Sequence, residues 1–348
     1  MALSHNTRAG LVEASSPEWR HALASAPHDV YHLPEYAALD LGVGVGRTTA
    51  FSYADGRHVF QLPLQLRAIP GTGREDATSA YGYPGPVSDC PVSGESGFWR
   101  DACTGLTATL RDAGIVSCFV RLHPLLATDL DALAGVGLVV CRGLTVAVDL
   151  TAPLDTIRAS LRSNHRRQIA AAGRRGVTVR FDDWSRLGEF VDGYYENMRH
   201  VGADPRYFFG PEYFRGLRSG LGPFTHLVTA HQGEEFAGGG IFFEHDGIVQ
   251  YHLGGTRTRY RNLQPLKLVL YETMGWAKSR GNRVLHLGGG LGGRTDSLFH
   301  FKAGFSAWHL PFHTWQIVVD PHGYADLCTA AGRPGDGDPL FFPAYRGR

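Results

Sequence analysis

The chain has 348 residues, 43% of them hydrophobic, with 34 basic and 33 acidic side chains and a formal net charge of +1. This is a globular composition, long enough for two domains. It excludes an overall polycation, so contact with nucleic acid has to come from a local patch, and no apolar run of about 18 residues predicts a transmembrane helix. Residues 1–8 lack the apolar core of a secretion signal. The five cysteines (Cys90, Cys103, Cys118, Cys141 and Cys328) are odd in number and show no C-x-x-C spacing. The expectation is a cytoplasmic protein with reduced thiols.

Residues 1–30 read as a helical lead-in, with Pro17, Glu18 and Trp19 opening an apolar-periodic segment. Asp55-Gly56 between Phe51-Ser52-Tyr53 and Val59–Leu62 gives a hairpin. Residues 70–97, with Tyr81-Gly82-Tyr83-Pro84-Gly85-Pro86, read as an ordered loop carrying two exposed or half-exposed tyrosines. A helix at 97–113, a strand at 118–122, a short helix at 128–134 and strands at 138–141 and 145–150 complete the first half. The second half repeats the pattern. It has a basic helix at 154–172, a helix at 187–199, a meander over 225–231, 236–244 and 248–253, a helix at 265–279 and a strand at 283–287. Two copies of one α+β unit follow from this order, with a boundary near Thr151-Ala152-Pro153. The domains expected are 1–150, 151–315 and a tail, 316–348, that packs back on the first half or frays, with a Gly/Pro/Asp-rich stretch at 332–339.

Near the end of the second unit lies Phe299-His300-Phe301-Lys302-Ala303-Gly304-Phe305. A lysine framed by Phe301 and Phe305 sits in a partly apolar place, which costs free energy but suits a developing oxyanion. The spacing Gly288-x-Gly290-x-x-Gly293 matches a dinucleotide fingerprint after a strand, yet too little chain remains for a βαβ unit. The glycines fit better as points where backbone approaches a substrate closely, which places Gly289 and Gly290 there. Seven arginines (Arg158, Arg162, Arg166, Arg167, Arg174, Arg175 and Arg180) fall between Asp155 and Asp182 with no acid among them. Ile157, Leu161 and Ile169 form one apolar face, which leaves Arg162, Arg166 and Arg167 toward solvent. A solvated helix face and a phosphate-binding stripe are the two readings. Tyr251 ends a strand before Gly254-Gly255 and belongs either to the core or to a substrate channel. His309 and His313 lack further ligands nearby, so no metal is expected. No G-x-S-x-G is present, and no cysteine has an adjacent base.

Several of these segments together resemble the Fem family. They are Tyr251–Thr256, Tyr260, Pro265, Glu272, Trp276-Ala277-Lys278, Gly281, the Gly-rich strand end and Phe301-Lys302-x-Gly304-Phe305. Leu161-Arg162-x-Asn164-x-Arg166-Arg167-Gln168-Ile169 and Tyr81–Pro86 look like that family too. The resemblance covers most of residues 31–315 and is strongest from 251 to 305. It implies an α+β chain of two tandem GNAT-like domains (the acyl-CoA N-acyltransferase-like fold) with mixed, largely antiparallel sheets. It also implies transfer of an amino acid from aminoacyl-tRNA to an amine, with no other cofactor. Phe301 and Lys302 would serve the transferred acyl group and the 3′ end of the tRNA, and Tyr251 would line the same channel. Arg162, Arg166 and Arg167 would hold acceptor-stem phosphates, while Tyr81, Tyr83, His200, Gly289 and Gly290 would meet substrate.

Three departures narrow the expectation. Nothing between 182 and 235 has the heptads or length of the helical arm found in some members, so no coiled-coil arm is expected. Cell-wall members carry T-x-x-R-D-G, and the matching stretch here, Asn197–Ala203, has His200 in place of the arginine. Acyl-CoA enzymes use R-x-x-G-x-G/A, and Arg259–Pro265 lacks both glycines. The expected enzyme is therefore an aminoacyl-tRNA-dependent transferase acting on a small peptide or nucleoside-peptide amine, of the kind that serves uridyl-peptide antibiotic pathways. An acyl-CoA N-acyltransferase is the alternative, a peptidoglycan-precursor aminoacyltransferase the second, and a silent tRNA- or nucleoside-binding protein a third. No membrane partner is expected, and a monomer is the default.

Overall fold

The computed structural model describes residues 7–39, 46–92, 97–333 and 341–347. The chain opens with strand β1 (Arg8–Glu13) and helices α1 (Pro17–Ser25) and α2 (Pro34–Leu39). Ser16 starts α1 by accepting from the Glu18 N–H, and Pro17 follows at the position where a missing N–H does no harm. Strands β2 (Gly46–Ala54), β3 (Val59–Ile69), β4 (Arg74–Thr78) and the two-residue β5 (Val87–Ser88) come next. Helix α3 (Phe98–Asp112), strand β6 (Ile115–Arg121), helix α4 (Leu130–Ala134) and strand β7 (Leu138–Asp149) follow. The second half contains α5 (Leu154–Ser160), α6 (Ser163–Arg174), β8 (Val177–Phe181), α7 (Leu187–His200) and α8 (Pro211–Leu221). It continues with β9 (Thr225–Gln232), β10 (Glu235–His245), β11 (Ile248–Thr256), α9 (Pro265–Ser279), β12 (Val284–Gly289) and α10 (Ser297–Lys302). Strand β13 (Trp308–Val318) and helix α11 (Pro321–Ala330) close the series.

Contacts divide the chain into two compact units, Met1–Arg142 with Pro311–Arg348, and Gly143–Leu310. The divisions fall inside β7 and β13, whereas the sequence reading placed its boundaries at 150 and 315. In the first unit the strand order is β1-β2-β3-β4-β6-β13, with β5 beside β3. In the second it is β7-β12-β11-β10-β9-β8. Each unit is antiparallel except for one parallel pair, β4 with β6 and β11 with β12. In both units a 15-residue helix makes the crossover between the parallel strands, α3 in one and α9 in the other. The repeat expected from the sequence is therefore visible in the order of strands.

Helix α3 buries Trp99, Ala102, Cys103, Leu106 and Leu110, spaced by three and four residues, against Leu62, Leu64, Leu66 and Val120. Helix α9 buries Leu268, Val269, Leu270, Met274 and Ala277 with Val228, Phe242, Val249, Leu285 and Leu287. Each fully buried aliphatic side chain of this size contributes about 1.5–3 kcal/mol. The C-terminal segment lies in the first unit, where the fully buried Asp76 carboxylate accepts from Arg67 Nε at 2.9 Å, Tyr345 at 3.0 Å and Arg346 Nε at 2.5 Å.

Several expectations are corrected. The single basic helix at 154–172 is two helices, α5 and α6, separated at Leu161 and Arg162, both of which have extended backbone. The lead-in begins with a strand, the 70–97 loop contains β4 and β5, and the two strands expected at 138–150 are one. Strand β8 and helices α8 and α11 had no expectation. Most of the stretch 332–339 lies outside the described residues. No helix among the described residues is long and apolar enough to cross a membrane, and none between 182 and 235 exceeds the 14 residues of α7.

Candidate active site

Strands β11 and β12 pair over only three positions, Ile248 with Val284, Val249 with Leu285, and Gln250 with His286. Both strands continue beyond that point without pairing to each other. An irregularity lies just past the last pair on each. On β11, His252 is the extra residue between the positions facing Phe242 and Ile241 of β10. On β12, the register with β7 shifts between His286 and Gly288. Bulges of this kind raise local twist and bend a strand. The result is an opening in the sheet bordered by Tyr251 on one strand and Gly289 on the other.

Lys302 spans that opening. It is the last residue of α10, a helix started by Asp296, whose side chain accepts from the Phe299 N–H at 2.9 Å and from the Leu291 N–H at 2.9 Å. The Lys302 Nζ donates to the Gly289 carbonyl at 2.8 Å and lies 5.7 Å from the centroid of the Tyr251 ring. The residue is 8% exposed. Burial lowers its pKa from 10.5 to about 7, partly opposed by Asp296. The group is therefore divided between ammonium and free amine near neutrality. Burial also raises the Tyr251 phenol well above its usual value, so the phenol stays protonated. Its hydroxyl lies along its own strand, against Gly254, where any Cβ would collide with it.

Phe301 makes its contacts elsewhere. Its ring is 5.6 Å from Phe305 and 5.9 Å from His165, and the Lys267 Nζ is 5.8 Å away. Lys267 is itself buried, donates to Gln168 and has its pKa lowered by burial. The helix that carries Lys267 opens with Pro265 and is preceded by Gln264, in the left-handed region at φ 53°. The segment before it is a 3-10 turn, Thr258–Leu263, in which Arg259 pairs with Glu235 at 2.9 Å.

Arg162, Arg166 and Arg167 are exposed at the start of α6. One Arg166 nitrogen donates to the carbonyls of Ala159 at 2.7 Å and Leu161 at 2.5 Å, which ties the end of α5 to α6. Arg180, by contrast, is on β8 and bonds both oxygens of Glu234 at 2.9 Å. It leaves the basic stripe for that reason.

The expected glycines are crowded by the protein itself. A Cβ on Gly289 would lie 2.7 Å from the Leu144 carbonyl, and one on Gly290 would strike Arg294 and Asp296. His200 is exposed at the end of α7. Tyr81 and Tyr83 are half-buried in the first unit. Their loop is fixed by Tyr36, which donates to the Tyr81 carbonyl at 2.8 Å, and by His32, whose Nε2 donates to the Gly85 carbonyl at 3.1 Å. Among the described residues no cluster of three or more His, Cys, Asp or Glu could hold a metal ion.

Three side chains of this region carry no expectation from the sequence: His165, Lys267 and Asp296. A signal existed for one of them. His165 falls four residues after Leu161 and four before Ile169, on the apolar face of the basic helix.

Residues 159–302 match a family model described as an acetyltransferase (GNAT) domain. No curated protein matches the sequence. Among solved structures, a crystal structure of FemX is 13% identical, with a TM-score of 0.70 over 90% of this chain and 98% of that one. The C-terminal domain of a putative lysylphosphatidylglycerol synthetase from Agrobacterium fabrum is 16% identical, with a TM-score of 0.56 over 86% and 91%. The L-PGS structure from Bacillus licheniformis is 14% identical, with a TM-score of 0.54 over 87% and 93%. At such identities the likeness is one of fold. The chain has a tandem GNAT-like α+β fold without a long arm.

Proposed function

We propose that the chain is an acyltransferase that forms an amide bond, with aminoacyl-tRNA as donor and the amine of a small peptide or nucleoside-peptide as acceptor. The observation that carries this reading is Lys302, a buried lysine that among the described residues is bonded to the Gly289 carbonyl and to no carboxylate, set where β11 and β12 stop pairing. The ester of an aminoacyl-tRNA is already activated, so the protein has to supply position and charge rather than a nucleophile. The acceptor amine attacks the ester carbonyl. The Lys302 ammonium stabilises the oxyanion that forms, or the departing ribose oxygen, which leaves as the tRNA hydroxyl once it has taken up the proton that the attacking amine gives up. Removal of one such contact costs ~3–4 kcal/mol of barrier. Phe301 faces the terminal adenosine, where base stacking contributes ~1–3 kcal/mol, and Arg162, Arg166 and Arg167 take phosphates of the acceptor stem.

The acyl-CoA alternative draws on the GNAT match over 159–302. Against it, the segment before α9 lacks the glycines that admit a diphosphate, and Pro265 removes an N–H from the helix start. With His200 in place of the cell-wall arginine, a wall precursor is a weaker acceptor than an antibiotic-type peptide.

The test is label transfer from charged tRNA to candidate amines, with and without RNase. An acid-stable labelled product that RNase abolishes supports the proposal and identifies the amino acid. Label that survives RNase moves the donor to acyl-CoA or an adenylate. Product formed by Lys302→Ala at the wild-type rate would remove Lys302 from the mechanism.

A further inference from the structure

The segment that carries Lys302 is docked on one side chain of α6. The Nε2 of His165 lies 2.9 Å from the Phe301 carbonyl, which only accepts, so the hydrogen is on Nε2. The imidazole stands edge-on to Phe305, with centroids 4.7 Å apart. It also fills the space beside Gly304, where any Cβ would enter the ring. The Arg162 N–H donates to the Gly304 carbonyl at 2.9 Å, which makes a second tie from the start of α6 to the same turn. Among the described residues the buried Nδ1 of His165 has no hydrogen-bond partner. Burial, followed by the nearby Lys267 and Arg162, holds the ring below its usual pKa, against the pull of the Phe301 carbonyl. A neutral donor therefore serves here without adding another positive charge close to Lys267.

We propose that His165 is a positioning residue, which fixes the Phe301–Gly304 turn and so holds Lys302 in its buried setting and registers it to the arginines exposed on the same helix. The part of this proposal that concerns donor phosphates rests on the tRNA reading above. The part that concerns Lys302 does not. Helix α6 and the Arg162 that precedes it present Arg162, Arg166 and Arg167 outward and His165 inward within two turns. A donor held by its phosphates on α6 is then held at a set distance from Lys302, because the helix and the turn are joined at two points.

The experiment is pH-dependent chemical labelling of Lys302 by an amine reagent, read by mass spectrometry on the intact, unliganded chain. Wild-type Lys302 is expected to label with a midpoint of about 7. His165→Gln keeps an N–H donor and should keep that midpoint. His165→Ala should move it toward the ordinary lysine value of 10.5. In the transfer assay His165→Ala should lower kcat tenfold or more with donor Kd within twofold, and His165→Gln should restore most of kcat. Should His165→Ala fail to fold, Gly304→Ala serves instead, since its Cβ must displace the same ring. An unchanged Lys302 midpoint in a folded His165→Ala or Gly304→Ala variant overturns the proposal, whatever the donor proves to be. A donor Kd that rises with the midpoint intact also overturns it, and makes His165 a scaffold residue of α6 alone.

Discussion

The two units place a parallel strand pair at the same point in their order, and they finish it differently. In the first unit the ends of β4 and β6 are closed. The Ser79 N–H donates to the Phe119 carbonyl at 2.8 Å, the Arg121 N–H donates to Ser79 Oγ at 3.0 Å, and the Arg121 guanidinium donates to the Ser79 carbonyl at 3.0 Å. In the second unit β11 and β12 stop pairing after three positions, and a lysine bonded to one carbonyl stands between them. Closed pairing of this kind stabilises the fold. An opening that holds a buried cation costs stability and is retained where chemistry needs it. The reacting site proposed above lies on the open pair of the second unit, and the first unit has a closed version of the same frame.

The contrast can be broken most severely at Lys302. Lys302→Ala should lower transfer by two to three orders of magnitude, on the scale of a lost oxyanion contact, while tRNA binding measured by filter retention stays within a few-fold. The same side chain should weigh against folding. Its pKa is near 7 folded and 10.5 as an ordinary lysine, so between these values the unfolded chain holds more protons and stability rises with pH. The penalty is complete below pH 7. Lys302→Met should therefore be more stable than wild type at pH 7 by up to about 4 kcal/mol, less ~1 kcal/mol for the lost hydrogen bond. Denaturant unfolding at pH 7 and pH 10 reads both the gain and its loss of slope. A Met variant that is less stable than wild type would show that Lys302 is a structural cation.

Arg121→Ala sharpens the other side of the comparison. It removes one donor from the Ser79 carbonyl, which keeps the Thr78 hydroxyl at 3.1 Å, and should cost about 0.5–1.5 kcal/mol, seen as a lower urea midpoint. The Lys302 labelling midpoint should not move, because that site is built from the second unit. Arg167→Ala should have the smallest effect. Donor affinity should fall severalfold, with the slope of log K against log salt reduced by about 0.7–0.9 for the one phosphate contact removed. An unchanged slope would return Arg167 to the solvated face of α6.

Much of this frame was legible in the chain. The helix at 265–279 and the meander over β9, β10 and β11 follow from apolar periodicity and from the turns at Gln232-Gly233 and Asp246-Gly247. The break between α5 and α6 was not legible, because Leu161 and Arg162 are ordinary helix formers. Tertiary contacts override propensity there, including the hydrogen bond from the Arg162 N–H to Gly304. Lys302 could be singled out by its aromatic flanks, yet its actual partners, Gly289 and Tyr251, are 13 and 51 positions away. Gly289 and Gly290 looked like substrate contacts, whereas the crowding on them comes from Leu144, Arg294 and Asp296. A glycine reports close approach but not what approaches.

Gly304 and His165 occupy one volume between them, which gives the pair a genetic meaning. A lineage that enlarges position 304 has to shrink position 165, and the reverse, so single changes at either site should be deleterious and compensated pairs tolerated. A deep mutational scan would show the two positions as strongly epistatic although they lie 139 positions apart. A graft of Phe301–Phe305 into another scaffold without an α6 that carries His165 would import the sequence of the motif but not the shape that holds its lysine.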